Sequence, residues 1–309
     1  MTLASHRHRR YTFSGRTKKP LGWWLILAIG SALGTAGADA VLKRFFSDLS
    51  PYAMSLAQWL YALPFLVSVG LFMSWPYLDH TFWLAVAAAL PLELIATLLY
   101  MQALKVCHLS LCIPLLAFTP VFMILTGWWL LGEALSSWGL TGIALISGGA
   151  YILSLGGESQ GFWAPLKNLF QEKGAVLMLI VAAIYSCTAS LGKLAILHSG
   201  PVFFGVVYPM GFSGFMLLGY PLSRPRPGMV LWNRRKIGLL VGSCLAASIF
   251  CHVYGMTMAP AAYLIAVKRL SILFSVLLGG FWLQERPFLP RLLGAALMVA
   301  GVGLMALNG

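Results

Sequence analysis

Long apolar segments follow one another along this chain, and their length restricts its fold more than any other feature. A helix rises 1.5 Å per residue, so about 20 apolar residues cross the ~30 Å hydrocarbon core of a bilayer. Ten segments of about this length occur, at 22–44, 52–73, 82–104, 109–131, 138–156, 174–197, 201–221, 237–258, 261–283 and 289–307. We therefore predict an all-α polytopic membrane protein with ten transmembrane helices.

Composition argues against a water-soluble protein and against a nucleic-acid partner. The chain is 60% hydrophobic and 9% charged, whereas soluble domains are about 25% charged. Much of the formal net charge of +13 lies in the tail before the first apolar segment and in one loop, at 224–236. Basic clusters that flank apolar segments are typical of headgroup anchors, so we expect a lipid bilayer around this protein.

The basic tail also bears on orientation. We predict a multi-pass protein of the cell (inner) membrane with cytoplasmic termini, because the tail and first helix usually dominate insertion. The loops on the opposite side carry nearly all the remaining exposed Lys and Arg, including those of loop 224–236, and they indicate the reverse orientation. The two signals conflict.

An internal repeat divides the chain in two. Lys43, eight residues before Pro51, has its counterpart in Lys193, eight residues before Pro201. The run 140–149 resembles 292–301, and Glu133 corresponds to Glu285 at the same offset of 152 residues. We predict a basic tail (1–20), a first five-helix repeat (21–156), a linker (157–173) and a second five-helix repeat (174–309).

Five helices are an odd number, so the two repeats enter the membrane in opposite orientations. Inverted repeats are the plan of secondary transporters, which hold their substrate near the midplane between the two halves. The sequence thus predicts a transporter of a small molecule. It leaves open whether the protein is a monomer or a homodimer.

The segments around the repeat resemble a known family. Residues 103–153 contain a Pro-broken fourth span, a Gly132-Glu133 helix end and a Gly-spaced following helix, and 261–304 is a similar run in the second half. These features resemble the EamA branch of the drug/metabolite transporter superfamily. The resemblance implies ten helices in two inverted repeats and transport of small organic solutes.

Lys268 and Arg269 are adjacent charges inside the ninth apolar segment. Each costs about 2.5–3.5 kcal/mol in a bilayer unless water, a counter-ion or a ligand meets it. The pair is similar to the adjacent Lys-Arg of the triose-phosphate and nucleotide-sugar translocators, in which it holds the substrate phosphate. We predict that both residues bind substrate, with snorkelling to headgroups or pairing with a structural acid as the alternative.

Further polar residues inside the apolar segments are candidates for substrate binding. Glu93 is the only acid near the middle of a segment, where it is a counter-charge, a proton carrier or a neutral packing group. Lys193 has no acid at i−4 or i+4, which favours a cavity position. The remaining candidates are His252, Tyr254, Gln58 and Tyr208. Lys268, Arg269 and Lys193 outnumber Glu93 and Asp39, so the cavity is predicted to favour anions.

Four residues are predicted to be structural. Asp39 and Lys43 are spaced i, i+4 and are expected to form an ion pair on the first helix. Glu133 and Glu285 end their helices, and each is expected to accept backbone N–H bonds at the start of the next helix.

The sequence contains no catalytic motif, no nucleotide-binding loop and no metal-ligand pattern, so we predict neither an enzyme nor a cofactor or metal. The leading hypothesis is a secondary transporter of a phosphorylated or carboxylated metabolite that works by alternating access. A proton-coupled exporter of amino acids or amphiphilic metabolites is the first alternative. A lipid-handling membrane subunit without solute transport is the second.

Overall fold

The computed structural model describes residues 22–106, 113–154, 173–220, 228–274, 277 and 289–308, and these residues form helices and turns without a β-strand. We number the helices α1 Trp23–Phe46, α2 Pro51–Gly70, α3 His80–Val106, α4 Thr119–Leu131, α5 Ser137–Ser154, α6 Lys173–Ser199, α7 Pro201–Leu218, α8 Arg235–Met256, α9 Ala261–Lys268 and α10 Leu289–Asn308. A 3₁₀ helix, Ile113–Phe118, precedes α4, and a short helix, Gly228–Asn233, precedes α8.

Six helices within the described ranges are long and apolar enough to cross a membrane, namely α1, α2, α3, α6, α7 and α8. Shorter apolar helices occupy Leu115–Leu131, Ser137–Leu153 and Leu293–Leu307. The prediction of an all-α polytopic membrane protein is confirmed. The basic tail (1–20) lies outside the described residues, and so does the linker (157–173) apart from Lys173, which begins α6.

Helix packing follows the predicted repeat. The first helix of each half packs against the third helix of the other half, α1 on α8 and α6 on α3. The fourth helix of each half packs against the first helix of the other, α4 on α6 and α9 on α1. Reciprocal pairs of this kind arise when a pseudo-two-fold axis relates two inverted halves.

The repeated glycines hold α5 against α10. A Cβ atom built on Gly149 would lie 2.5 Å from the carbonyl oxygen of Gly294, and one on Gly301 would lie 2.7 Å from that of Gly142. Only glycine permits this close approach of two backbones, as at small-residue contacts between membrane helices. The contacts pair 142 with 301 and 149 with 294, so the two helices run antiparallel.

Helix α9 is interrupted inside its apolar segment, near the ninth residue. It ends at Lys268, Arg269 forms a turn, and helical residues resume at Leu270. The Arg269 amide is shared between the carbonyl oxygens of Ala266 at 3.0 Å and Ile265 at 3.2 Å, a local tightening toward 3₁₀ geometry. At the repeat offset of 152 residues, Lys268 and Arg269 correspond to positions within the 3₁₀ helix before α4. Both halves therefore depart from the α-helix at the same place.

Candidate substrate-binding site

A cluster of charged and hydrogen-bonding side chains lies inside the bundle at the interruption of α9. Lys268 and Arg269 are both partly buried there. The Lys268 ammonium interacts electrostatically with the carboxyl groups of Asp39 on α1 and Glu93 on α3. It also interacts with the imidazole of His252 on α8. Helices from both halves therefore meet at one polar centre.

Asp39 belongs to this cluster. The Gln58 side-chain amide on α2 donates a hydrogen bond to the Asp39 carboxylate at 3.4 Å. The Asp39 side chain is exposed within the bundle structure, although it lies well inside α1. We predicted an ion pair between Asp39 and Lys43, but the Lys43 side chain lies outside the described residues.

Glu93 occupies the facing side of the cluster. It lies beside the hydroxyl group of Thr188 on α6 and interacts electrostatically with Lys268. Its charge also acts on the phenol groups of Tyr185 and Tyr208. Helices α3 and α6 pack along each other, and Glu93 of α3 meets Tyr185 and Thr188 of α6 between them. The role of Glu93 in substrate binding stays a prediction.

Two nitrogen atoms in the cluster lack partners. Within the described parts of the chain, the buried Nε of Arg269 and the buried Nδ1 of His252 have no hydrogen-bond partner. An unpaired buried polar group costs about 1–3 kcal/mol, and a charged group costs more. A ligand that accepts a hydrogen bond from Arg269 would recover this energy.

Lys193 lies elsewhere, in a buried ion pair. Its ammonium donates to the Glu133 carboxylate and to the carbonyl oxygen of Ala259. The side chains of Lys193 and Glu133 are only 6% and 14% exposed. The substrate-binding role of Lys193 stays a prediction, but its ammonium already has two partners in this geometry.

The backbone at the end of α4 positions Glu133. Gly132 takes a left-handed conformation, φ 67°, and the Glu133 amide donates to the Gly127 carbonyl oxygen at 3.1 Å, as in a Schellman turn. Glu133 then accepts the amide N–H of Ala261 at 2.9 Å. We expected a bond of this kind at the start of the next helix, α5, and that expectation stays a prediction. The bond from Ala261 shows that Glu133 caps the start of α9. Glu285 lies outside the described residues.

The structure brings six of the eight predicted binding residues together: Lys268, Arg269, Glu93, His252, Gln58 and Tyr208. Tyr254 is not among them. It is 39% exposed and lies two residues from His252, which on a helix is a rotation of about 200°. The cluster's cations, Lys268 and Arg269, and its acids, Asp39 and Glu93, are equal in number because Lys193 lies outside it. The positive surplus predicted from sequence is therefore absent among the described residues.

Sequence reasoning missed Tyr100, Tyr185 and Thr188. The signal was present on α3, where Glu93 and Tyr100 are spaced i, i+7 and thus share one helix face. On α6, Tyr185 and Thr188 share a face at i, i+3, and Tyr185 interacts with both Glu93 and Arg269. The described residues include no group of three or more His, Cys, Asp or Glu side chains that could hold a metal ion.

A helical bundle of two inverted halves with a polar centre between them is the architecture of secondary transporters. The EamA-like transporter family matches residues 22–155 and 172–307. The chain belongs to this family, and it is a membrane transporter of the drug/metabolite type. The similarity of its Lys-Arg pair to that of the sugar-phosphate translocators stays a prediction.

One solved structure, described only as "Crystal structure of protein", has a TM-score of 0.72 to this chain. The match covers 91% of this chain and 95% of the solved chain, at 14% sequence identity. It shows that the two chains share a fold. No curated protein sequence matches the chain.

Proposed function

We propose that this transporter moves a small organic anion, phosphorylated or carboxylated, by alternating access. The observation that carries the proposal is the partly buried Arg269, whose buried Nε has no hydrogen-bond partner in the described parts of the chain. Guanidinium presents a planar fork of donors that matches a carboxylate or a phosphate. Lys268 adds a second cation beside it, at the interruption of α9.

The position of the pair supports a transport site. Transporters built of two inverted halves place their substrate between the halves, and the Lys268–Arg269 pair lies in the polar cluster where helices of both halves meet. The cluster draws on α1, α2 and α3 of the first half and on α6, α7, α8 and α9 of the second. A relative movement of the halves would therefore change access to the site.

Asymmetry between the halves supports alternating access. Helix α2 packs closely along α8, where a Cβ atom on Gly242 would lie 1.9 Å from the carbonyl oxygen of Tyr61. The repeat-related pair, α7 and α3, is packed much more loosely. A carrier that alternates between two states is expected to pack its two similar halves differently in each state, as these halves do.

Flux in proteoliposomes tests the proposal. The solute is first found by a thermal-shift screen of phosphorylated, carboxylated and cationic metabolites, because a specific ligand raises apparent stability by mass action. We expect the flux of this solute to collapse in Lys268→Gln and in Arg269→Gln. The control is Arg235→Gln, which removes an exposed cation from the first residue of α8 and should keep the flux. Unchanged flux in both cavity variants, with normal insertion and folding, would overturn the proposal.

Glu93 supports a second candidate, a proton-coupled exporter of amino acids or amphiphilic metabolites. Its carboxyl group is partly buried and lies within electrostatic reach of Lys268, so its proton and the Lys268 charge influence each other. This mechanism predicts flux that follows an imposed pH gradient and loses that dependence in Glu93→Gln. Flux with the same pH dependence in the variant would exclude Glu93 as the coupling residue.

A further inference from the structure

Some contacts between helices occur in both halves of the fold, and others occur in only one. The axis that relates the halves exchanges α1 with α6, α2 with α7 and α3 with α8. Helix α1 packs on α8 about as closely as α6 packs on α3. By contrast, α2 and α7 both pack on α8, whereas α7 packs loosely on α3 and, among the described residues, α2 hardly touches α3. The pair of α2 and α7 therefore lies against α8 and away from α3.

The contact of α1 with α8 is tight along much of both helices. A Cβ atom on Gly34 would lie 2.7 Å from a carbonyl oxygen of α8. The Ser248 hydroxyl group donates to the carbonyl oxygen of Ser31 at 2.8 Å. Near the end of α1, Arg234 donates to the Asp48 carboxylate at 2.6 Å. Separating these helices inside a bilayer would leave backbone and hydroxyl groups without partners, because no water replaces them there.

Helices α2 and α7 are also joined to each other. The Tyr52 hydroxyl group donates to the carbonyl oxygen of Met216. The Trp59 and Phe212 rings meet edge to face, with their centroids 5.3 Å apart. Because the axis exchanges α2 with α7, this contact is its own counterpart.

We propose that α2 and α7 move together as one unit during transport, from α8 in this structure to α3 in the other state. The contacts of α1 with α8 and of α6 with α3 stay closed and form a frame. This inference rests on the proposed function, because it specifies which helices move in alternating access. Gln58 on α2 and Tyr208 on α7 belong to the polar cluster, so the displacement changes how the cluster is covered.

The symmetry of the fold is the physical reason. When two inverted halves exchange their conformations, each contact is replaced by its repeat-related counterpart and the site opens to the opposite side of the membrane. The contact of α1 with α8 becomes that of α6 with α3, and since both are already present, neither has to break. The contacts of α2 and α7 with α8 become contacts of α7 and α2 with α3. These are therefore the contacts that have to break.

Engineered disulfide bonds test the proposal, and the first two lie inside the frame. The Cβ atoms of a disulfide bond are about 3.5–4.5 Å apart. A Cβ atom on Gly30 of α1 would lie 3.8 Å from the Cβ and 3.1 Å from the Sγ of Cys251 on α8. Gly30→Cys can therefore pair with this native cysteine. Gly37→Cys with Cys244, at 3.9 Å between the Cβ atoms, is a second bond across the same contact.

Two further disulfide bonds involve the moving unit. Gly205→Cys with Val253→Cys joins α7 to α8, because a Cβ atom on Gly205 would lie 3.2 Å from the Cγ2 atom of Val253. Gly70→Cys with Val206→Cys joins α2 to α7 and is the matched control, because a Cβ atom on Gly70 would lie 3.1 Å from the Cγ1 atom of Val206. In each protein the other native cysteines are replaced by serine, and mass spectrometry verifies that the bond has formed.

Flux of the solute found in the thermal-shift screen is measured in proteoliposomes after oxidation with copper phenanthroline and again after reduction. We expect the bond between α7 and α8 to abolish flux, and reduction to restore it. The bonds inside the frame and the bond between α2 and α7 should leave the flux equal before and after reduction. Each protein is thus its own control, so a folding defect cannot imitate the expected result.

Two outcomes would show the proposal to be wrong. One is full flux through protein in which the bond between α7 and α8 has formed. The other is a loss of flux, reversed by reduction, with any of the other three bonds. The test does not depend on the charge of the solute. A cationic solute would contradict the proposed anion transport, and the disulfide bonds would still decide which helices move.

Discussion

Lys193 of α6 and Glu133 at the end of α4 form a buried ion pair that connects the two halves of the protein. The same carboxylate accepts the amide N–H of Ala261, and the Lys193 ammonium also donates to the carbonyl oxygen of Ala259. The start of α9 is thereby tied to both partners. Since α9 carries Lys268 and Arg269, this ion pair sets the position of the helix on which the proposed site depends.

Breaking the ion pair on one side should destabilise the protein strongly. A buried charge that loses its partner typically costs about 3–5 kcal/mol, whereas replacing both charges together is often nearly neutral. We expect Lys193→Met and Glu133→Gln each to lower the melting temperature in detergent by several degrees. The double variant should melt at a higher temperature than Lys193→Met alone. Purely additive losses would show that the two residues act independently.

The contact between α5 and α10 gives a prediction with a neighbouring control. A Cβ atom on Gly149 would lie 2.5 Å from a backbone oxygen of α10, whereas one on Gly148 would meet nothing within 4 Å. We expect Gly149→Ala to force the helices apart and to cost about 1–3 kcal/mol of stability. Gly148→Ala should be neutral or slightly stabilising, because alanine favours a helix more than glycine does. Equal melting temperatures for the two variants would contradict the close packing.

The glycine contact also shows what the sequence was able to predict. Gly142 and Gly149 recur at one offset in the second half, and apolar length is visible in each segment alone, so the helices and the inverted repeat were predictable. The partner of Lys193 was not, because Glu133 is 60 residues away and reaches it only through the left-handed turn at Gly132. Contacts that depend on how two inverted halves pack have no local signature.

The polar centre was predictable only in part, because some of its residues stand out in the sequence and others do not. Lys268 and Arg269 are conspicuous because a charge in an apolar segment is costly wherever it lies. Tyr185 does not stand out in the sequence, because a tyrosine is tolerated in an apolar membrane helix. Asp39 was assigned to Lys43 by spacing alone, and only the packing of α1 beside α2 and α9 showed its place near Gln58 and Lys268.

Asp79, in the loop before α3, makes stability depend on pH. Its carboxylate accepts the Phe82 amide at 2.9 Å and pairs with the His198 imidazole at 2.6 Å. The bond from the Phe82 amide, with a smaller contribution from His198, holds the pKa of Asp79 below its usual range. The folded state therefore gains stability from ionised Asp79 above its usual pKa of about 4, and loses it as the pH falls through the lowered folded pKa.

Thermal melts on acidification check this contribution. Asp79→Asn keeps an oxygen that accepts the Phe82 amide but cannot titrate, so it should be less stable than wild type near neutral pH. The difference should shrink as the pH falls below about 4. A difference that stays constant down to about pH 3 would show that ionisation of Asp79 does not contribute.

His252 and Tyr254 lie two residues apart on α8 and give the last prediction, a contrast between the two faces of one helix. His252 has a buried Nδ1 without a partner in the described parts of the chain and interacts with Lys268, whereas Tyr254 is 39% exposed. We expect His252→Phe to lower the initial rate of flux of the solute found in the thermal-shift screen by about tenfold, the equivalent of one lost hydrogen bond to a charged group. Tyr254→Phe should transport at the wild-type rate, because it removes a hydroxyl group remote from the cluster. A loss of flux in Tyr254→Phe equal to that in His252→Phe would place the transport path on the other face of α8.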